Sequence, residues 1–288
     1  MNTTFVYKEV DQCSIKAELY PVDQPNAPLI IYIHGGGLVW GTREDINKEQ
    51  VALYNQAGYN ILSIAYRLAP ETKLPNIIDD IRDAVKWVYD EGHKHMNFNT
   101  EKVAVIGSSA GAYLALMTGT FPVKPKAIVS FYGYGDILGD WYLQPSAHFL
   151  TMTNVPEVLA KQLIQPNTIA ESPIQRRYAI YLFCRQQGKW LDYVADMGTT
   201  SNEDALKQFC PVLHVDATYP PTLLLHGDVD EDVPYEESLK MKEALDQAGV
   251  FNELITIPNG KHTFDEHMDD PIVKDAFDRV INFLNKQL

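Results

Sequence analysis

The sequence predicts an α/β protein, a mostly parallel sheet with helices packed on both faces, and three observations carry that expectation. Short apolar, β-branched runs recur along the chain without polar alternation, the pattern of strands buried on both faces. Helix-spaced apolar stripes separate most of these runs, so the strands should be joined by crossovers rather than hairpins. One junction, Val103 to Thr118, reads as a strand, a glycine-containing turn and a helix in immediate succession.

The elements follow in order. Phe5 to Val10 and Ile15 to Tyr20 alternate in polarity around Asp11 to Ser14, which predicts an antiparallel hairpin at a sheet edge. Buried strands are predicted at Leu29 to Ile33, Asn60 to Ala65, Lys102 to Ile106, Ala127 to Phe131, Thr222 to Leu225 and Glu253 to Ile257, which with the hairpin make an eight-stranded sheet. Helices are predicted at 44–57, 76–91, 110–119, 235–249 and 271–286; in the second, Ile77, Ile78, Ile81, Val85 and Val88 recur at helical spacing and mark a buried stripe. From Asp136 to Val212 no strand run occurs, and helical patterns at 155–164 and 173–187 stand in an aromatic-rich stretch. A structureless loop of that length is unusual in a compact domain. The reading is therefore one domain over residues 1–288, with 136–212 inserted in it as a helical cap.

Composition narrows the function. The 288 residues include 45% apolar side chains, enough for a substantial core, and carry 24 basic against 38 acidic groups for a net charge of −14. That balance argues against nucleic acid as a partner. No apolar run approaches the roughly 20 residues that span a bilayer, and the first residues lack a signal-peptide pattern, so a cytoplasmic location with no membrane span is expected. Cys13, Cys184 and Cys210 are scattered and odd in number, which fits free thiols, and no spacing suggests a metal site. Homo-oligomerisation is left open.

The chemistry begins at Gly107-Ser108-Ser109-Ala110-Gly111. A serine at the apex of a tight strand-to-helix turn needs small residues two positions to either side, and Gly107 and Gly111 supply them around Ser109. Ser108 is flanked at those positions by Ile106 and Ala110. A serine hydroxyl is a weak nucleophile at neutral pH and needs a base, itself oriented by a third group. His262, in the Gly-containing turn after the last predicted strand, is placed to be that base, with His267 as the runner-up. Among the four carboxylates between His226 and Pro234, Asp230 is placed to reach back beneath the imidazole; Asp228 and Asp232 read as groups that cap or solvate the loop. The glycines of His34-Gly35-Gly36-Gly37, after the first buried strand, let backbone N–H groups approach a substrate and form an oxyanion hole with the amide of Ala110. His34 itself reads as structural, bonding to its loop.

These residues resemble the α/β-hydrolase superfamily, and within it the carboxylesterases similar to hormone-sensitive lipase. Tyr66-Arg67-Leu68-Ala69-Pro70-Glu71, continued by Leu74-Pro75 and Asp80, looks like a signature of that group. The likeness covers most of the chain outside the cap. It implies hydrolysis of a small-molecule ester without a cofactor, with Gly36 and Gly37 as oxyanion donors beside Ala110. The order Ser109, Asp230, His262 is the one expected on such a sheet. Two features depart from the group. The loop His226 to Pro234 looks more like that of acetyl and feruloyl esterases or prolyl-oligopeptidase-type hydrolases. The cap lies mid-chain instead of at the N-terminus, so the group's substrate preference does not carry over.

Three functions are weighed: a serine carboxylesterase, a peptidase acting on short peptides, and a non-catalytic ligand receptor on the same fold, which would lack part of the triad. Cap aromatics such as Phe149, Tyr178 and Tyr181 read mainly as packing of the cap helices, with a pocket for an acyl chain or phenolic ring as the alternative. Arg176, Arg177 and Arg185 read as solvated charges on a helix face.

Overall fold

The computed structural model describes residues 2–195 and 203–288. Its centre is an eight-stranded sheet in the order β1-β2-β4-β3-β5-β6-β7-β8. Strands β1 (Thr3–Val10) and β2 (Cys13–Tyr20) form the antiparallel edge hairpin, and β2 pairs antiparallel with β4 (Asn60–Ile64). From β4 onward every pairing is parallel, through β3 (Leu29–Ile33), β5 (Val103–Ser108), β6 (Ala127–Phe131), β7 (Thr222–Gly227) and β8 (Asn252–Ile257).

The unbroken apolar runs are explained by where these strands lie. In β3 every residue is buried, with Leu29, Ile31 and Ile33 in the core on one face of the sheet and Ile30 and Tyr32 in the core on the other. The outermost strand β8 is the exception, half-exposed along most of its length.

Helix α1 (Lys48–Gln56) begins later than the spacing predicts because Asn47 caps it, accepting from the Glu49 amide at 2.8 Å, while Thr42 to Asp45 close a turn of their own. Helix α2 (Leu74–Trp87) begins earlier, with Pro75 in its first turn, where the missing N–H costs nothing. Helix α3 (Ala110–Thr118) is buried along its whole length. Helices α5 (Tyr235–Gln247) and α6 (Pro271–Gln287) match the predicted pair, and Asp270 caps the latter. No described helix is long and apolar enough to cross a membrane.

Between β6 and β7 the chain forms short helices at Asp140–Leu143, Ala147–Leu150, Glu157–Gln162 and Trp190–Ala195 around the longer α4 (Ile174–Gln187). Residues 196–202 of the expected cap lie outside the described residues. A short antiparallel bridge between Gly41 and Ser172 ties this segment to the glycine loop after β3.

The expectation of solvated arginines on α4 needs correction. Arg176 is exposed, but Arg177 and Arg185 are only 1% and 2% exposed. Arg177 makes a two-pronged pair with Glu71 at 2.6 and 2.8 Å and donates to the carbonyl of Ala69 at 2.7 Å. Arg67 grips the fully buried Asp80 in the same manner, both contacts at 2.7 Å. Two buried arginine–carboxylate pairs thus account for Arg67, Glu71 and Asp80 of this segment, and one of them anchors α4.

Candidate active site

Ser109 sits at the turn between β5 and α3 with φ 54° and ψ −121°, a region that ordinary side chains rarely adopt. Its amide donates to the carbonyl of Phe131 at 2.9 Å, which fixes the turn against the end of β6. The flanking glycines are required by close approach. A Cβ on Gly107 would lie 2.1 Å from the carbonyl oxygen of Gly111, and one on Gly111 would lie 2.1 Å from that of Ile33.

The three predicted polar groups converge. Nε2 of His262 lies 3.1 Å from Oγ of Ser109, and its Nδ1 lies 2.8 Å from Oδ2 of Asp230. A carboxylate accepts, so Nδ1 carries the proton and Nε2 offers its lone pair to the serine hydroxyl. His267 is exposed and stands outside this cluster.

Asp230 is held by its own loop. Its Oδ1 accepts from the amides of Asp232 and Val233, each at 2.9 Å, and Nε2 of His226 lies 3.3 Å from Oδ2. Burial alone would raise its pKa, but the contacts from His226 and His262 outweigh burial and hold the carboxyl well below the ordinary range. Burial likewise pushes the His262 imidazole down. The hydrogen bond to Asp230 and the charges of Asp232, Asp230 and Asp265 more than reverse this, so its pKa stands above the ordinary histidine value.

Several neighbours are not legible from local sequence. Fully buried His226 bridges Ser238, at 2.7 Å from Nδ1, and the carbonyl of Val233, at 3.0 Å from Nε2. Tyr132, at positive φ just after β6, packs its ring 4.6 Å from that of His262 and donates to buried Asp265 at 2.5 Å. Asp265 also accepts from Gln50 at 2.8 Å, and burial raises its pKa despite both hydrogen bonds. The available signals were slight: His226 is the last residue but one of β7, before the acid loop, and Asp265 follows His262 by three residues. Asp232, expected to cap or solvate its loop, instead pairs with Arg185 at 3.1 Å and accepts from Tyr181 at 2.7 Å. Asp228 holds the neighbouring turn by accepting from the Asn259 amide at 2.6 Å.

The cluster opens into a pocket of about 560 Å³ whose lining includes Gly36, Gly37, Ser109 and His262. Trp40, Phe149, Met152, Tyr178 and Tyr181 make one wall; Tyr32, Asn47, Gln50, Ser108 and Tyr132 make a polar one. Gly36 and Gly37 both take positive φ, and Trp190 donates to the Gly37 carbonyl at 2.8 Å. Ala110 follows Ser109 as the first residue of α3, whose N-terminal amides are left over by the helix. His34 stacks on Tyr66 at 4.4 Å, with Nδ1 2.8 Å from the Gly35 carbonyl.

A sheet of this order, with the serine turn, histidine and carboxylate at the ends of its parallel strands, defines an α/β-hydrolase fold. The chain belongs to the BD-FAE family, whose model matches residues 18–172, and the prolyl oligopeptidase family model matches residues 168–288, which include the acid loop and His262. An α/β-hydrolase superfamily protein from Enterococcus faecalis superposes with a TM-score of 0.79 at 23% identity, over 99% of this chain and 98% of that one. An esterase from Mycobacterium marinum gives a TM-score of 0.71 at 23% identity, over 100% of this chain and 82% of that one. A non-reducing polyketide synthase of Aspergillus calidoustus is 26% identical over 88% of this chain, which spans 12% of that much longer relative. The resemblance to esterases read from the motifs is thus upheld, as is the eight-stranded fold.

Proposed function

We propose that the protein is a serine carboxylesterase acting on small esters through an acyl-enzyme, with Ser109 as nucleophile, His262 as base and Asp230 as its orienting acid. The observation that carries this reading is the continuous contact from Asp230 through His262 to Ser109, the last two of which line the pocket. Oγ of Ser109 attacks the ester carbonyl and its proton passes to Nε2 of His262. The resulting tetrahedral oxyanion is met by the amides of Gly36, Gly37 and Ala110, donors held in place by the fold. The imidazolium returns its proton to the departing alkoxide as the carbon–oxygen bond breaks, which leaves the acyl-serine. Water then attacks that ester with His262 again as base, and the acid is released with Ser109 restored.

In this reading residues 136–212 form a cap inserted in a single hydrolase domain, and its aromatic wall faces the acyl or alcohol group. The name of the Mycobacterium marinum neighbour supports an esterase. The prolyl oligopeptidase match favours one second reading, a peptidase for short peptides. Ester and anilide substrates with the same acyl group separate the two, since a peptidase turns over both and an esterase only the first.

Ser109→Ala should lower hydrolysis of p-nitrophenyl acetate by about 10⁴-fold or more while the folded protein is retained, because the attacking atom is gone. A fluorophosphonate probe should label the native protein and leave this variant unlabelled. Activity at the native level in the variant would exclude Ser109 as nucleophile.

A further inference from the structure

We propose that Asp232 is a second carboxylate serving His262, a positioning residue on the Nε2 side of the ring, and that Arg185 and Tyr181 of α4 hold it there. This rests on the esterase reading for its chemistry, and on four observations for its geometry.

The first is placement. Oδ2 of Asp232 lies 3.9 Å from Nε2 of His262, the nitrogen that faces Ser109, whereas Asp230 occupies the opposite nitrogen. A carboxylate oxygen and the Nε2 lone pair are both acceptors, so the lone pair stays with the serine hydroxyl, yet the separation is short enough for a strong charge interaction once the ring is protonated.

The second is restraint. Oδ1 of Asp232 accepts from the Tyr181 hydroxyl at 2.7 Å and pairs with Arg185 at 3.1 Å, while Arg185 also donates to the Asp232 carbonyl at 3.0 Å. Contacts to both side chain and backbone keep Oδ2 from swinging in to accept the Nε2 proton of the imidazolium.

The third is the nature of Arg185. Its guanidinium lies among the rings of Tyr142, Trp141, Phe149 and Tyr181, with centroids 4.9 to 5.7 Å away, and the residue is 2% exposed. A methionine or leucine would fill an aromatic box without the desolvation of a cation, and a buried ion pair rarely improves stability over such packing. The charge is accounted for by its carboxylate partner.

The fourth is what Tyr181 also touches. A Cβ on Gly37 would lie 2.5 Å from Cε2 of Tyr181, so this ring closes directly on the glycine loop. Acid loop, glycine loop and cap helix therefore meet at the pair that positions Asp232.

When Ser109 gives up its proton, positive charge appears on the imidazole ring beside Asp232. The carboxylate stabilises the imidazolium, and Arg185 tempers that effect so that the ring can give the proton up again. His262 is faced by Asp230 and Asp232 from the acid loop, with Glu231 beside them, and by Asp265 and Glu266 from its own segment. Tyr132 faces it from the end of β6 and Ser109 from the β5 turn, while His226 stands behind Asp230. All of these except Asp232 keep their identity when only Asp232 or its two restraints are altered.

The test is the pH dependence of kcat/KM for p-nitrophenyl acetate, run beside an NMR titration of the His262 ring in the free protein. Asp232→Asn should move both the acidic limb and the ring titration to lower pH by about one unit, because the charge that favours the imidazolium is lost. Arg185→Met, or Tyr181→Phe if that variant does not fold, should move them to higher pH and lower kcat as the freed Oδ2 accepts the Nε2 proton and holds the ring as imidazolium. A limb and titration unchanged in Asp232→Asn, or shifts of the same sign in both kinds of variant, would overturn the proposal. The titration needs no turnover, so a native protein that lacks esterase activity yet shows the opposed shifts would sink the esterase reading and leave the placement of Asp232 standing.

Discussion

A single methyl group would decide whether the serine turn forms. At Gly111 a Cβ meets backbone oxygen of Ile33 at 2.1 Å and of His34 at 2.4 Å, and the end of β3 cannot retreat without breaking its ladders to β4 and β5. Gly111→Ala should therefore cost about 3 kcal/mol of stability, read as a lower urea midpoint at unchanged slope, and activity should fall with it. Ser109, Asp230 and His262 were legible because each carries a local mark: two glycines, a carboxylate past a buried strand, and a turn after the last parallel strand. Asp232 was not. Its partner Arg185 lies 47 residues away, and no local pattern says that an acid in a loop will meet a buried cation from another element.

At the scale of elements, the spacing predicts α4 at 173–187 and the structure has it at Ile174–Gln187, but Arg177 and Arg185, unlike Arg176, are buried rather than solvated. Buried residues of this helix include Arg177, Ile180, Tyr181, Phe183 and Arg185, so no face is given over entirely to solvent-exposed charge. A helix wedged between the glycine loop, the acid loop and neighbouring aromatics loses the usual rule that charge means water. Arg177→Met should cost about 3–5 kcal/mol in denaturant unfolding, because Glu71 would be left buried without its partner. A cost below 1 kcal/mol would mean that water or another cation replaces the guanidinium. The starts of α1 and α2 were also displaced from expectation, in each case through first-turn chemistry at Asn47 or Pro75 that apolar spacing does not encode.

For the molecule as a whole, the contact between the acid loop and the loop after β8 links stability to pH. The Asp230 pKa is depressed on folding, so its contribution is present above about pH 4 and lost as pH falls through the lower folded value. The His262 pKa is raised, so its contribution is complete below about pH 6.5 and lost as pH rises through the higher folded value. The melting temperature of the native protein should therefore exceed that of Asp230→Asn by most between about pH 4 and 6.5, with the gap narrowing on both sides. A gap that is constant with pH would show that the pair is not coupled to folding.

What the sequence by itself determined is the order of the strands along the chain, the edge hairpin, the serine turn and the candidates for its partners. These follow from local sterics and from burial on both faces of a strand, which leave their trace in neighbouring residues. Only the tertiary structure decided how strand ends far apart in the chain meet. It set the sheet order, brought His262 within 3.1 Å of Ser109, and enclosed Arg185 among aromatic rings beside Asp232. Those contacts depend on which elements share one end of the sheet, a property of packing that no single segment contains.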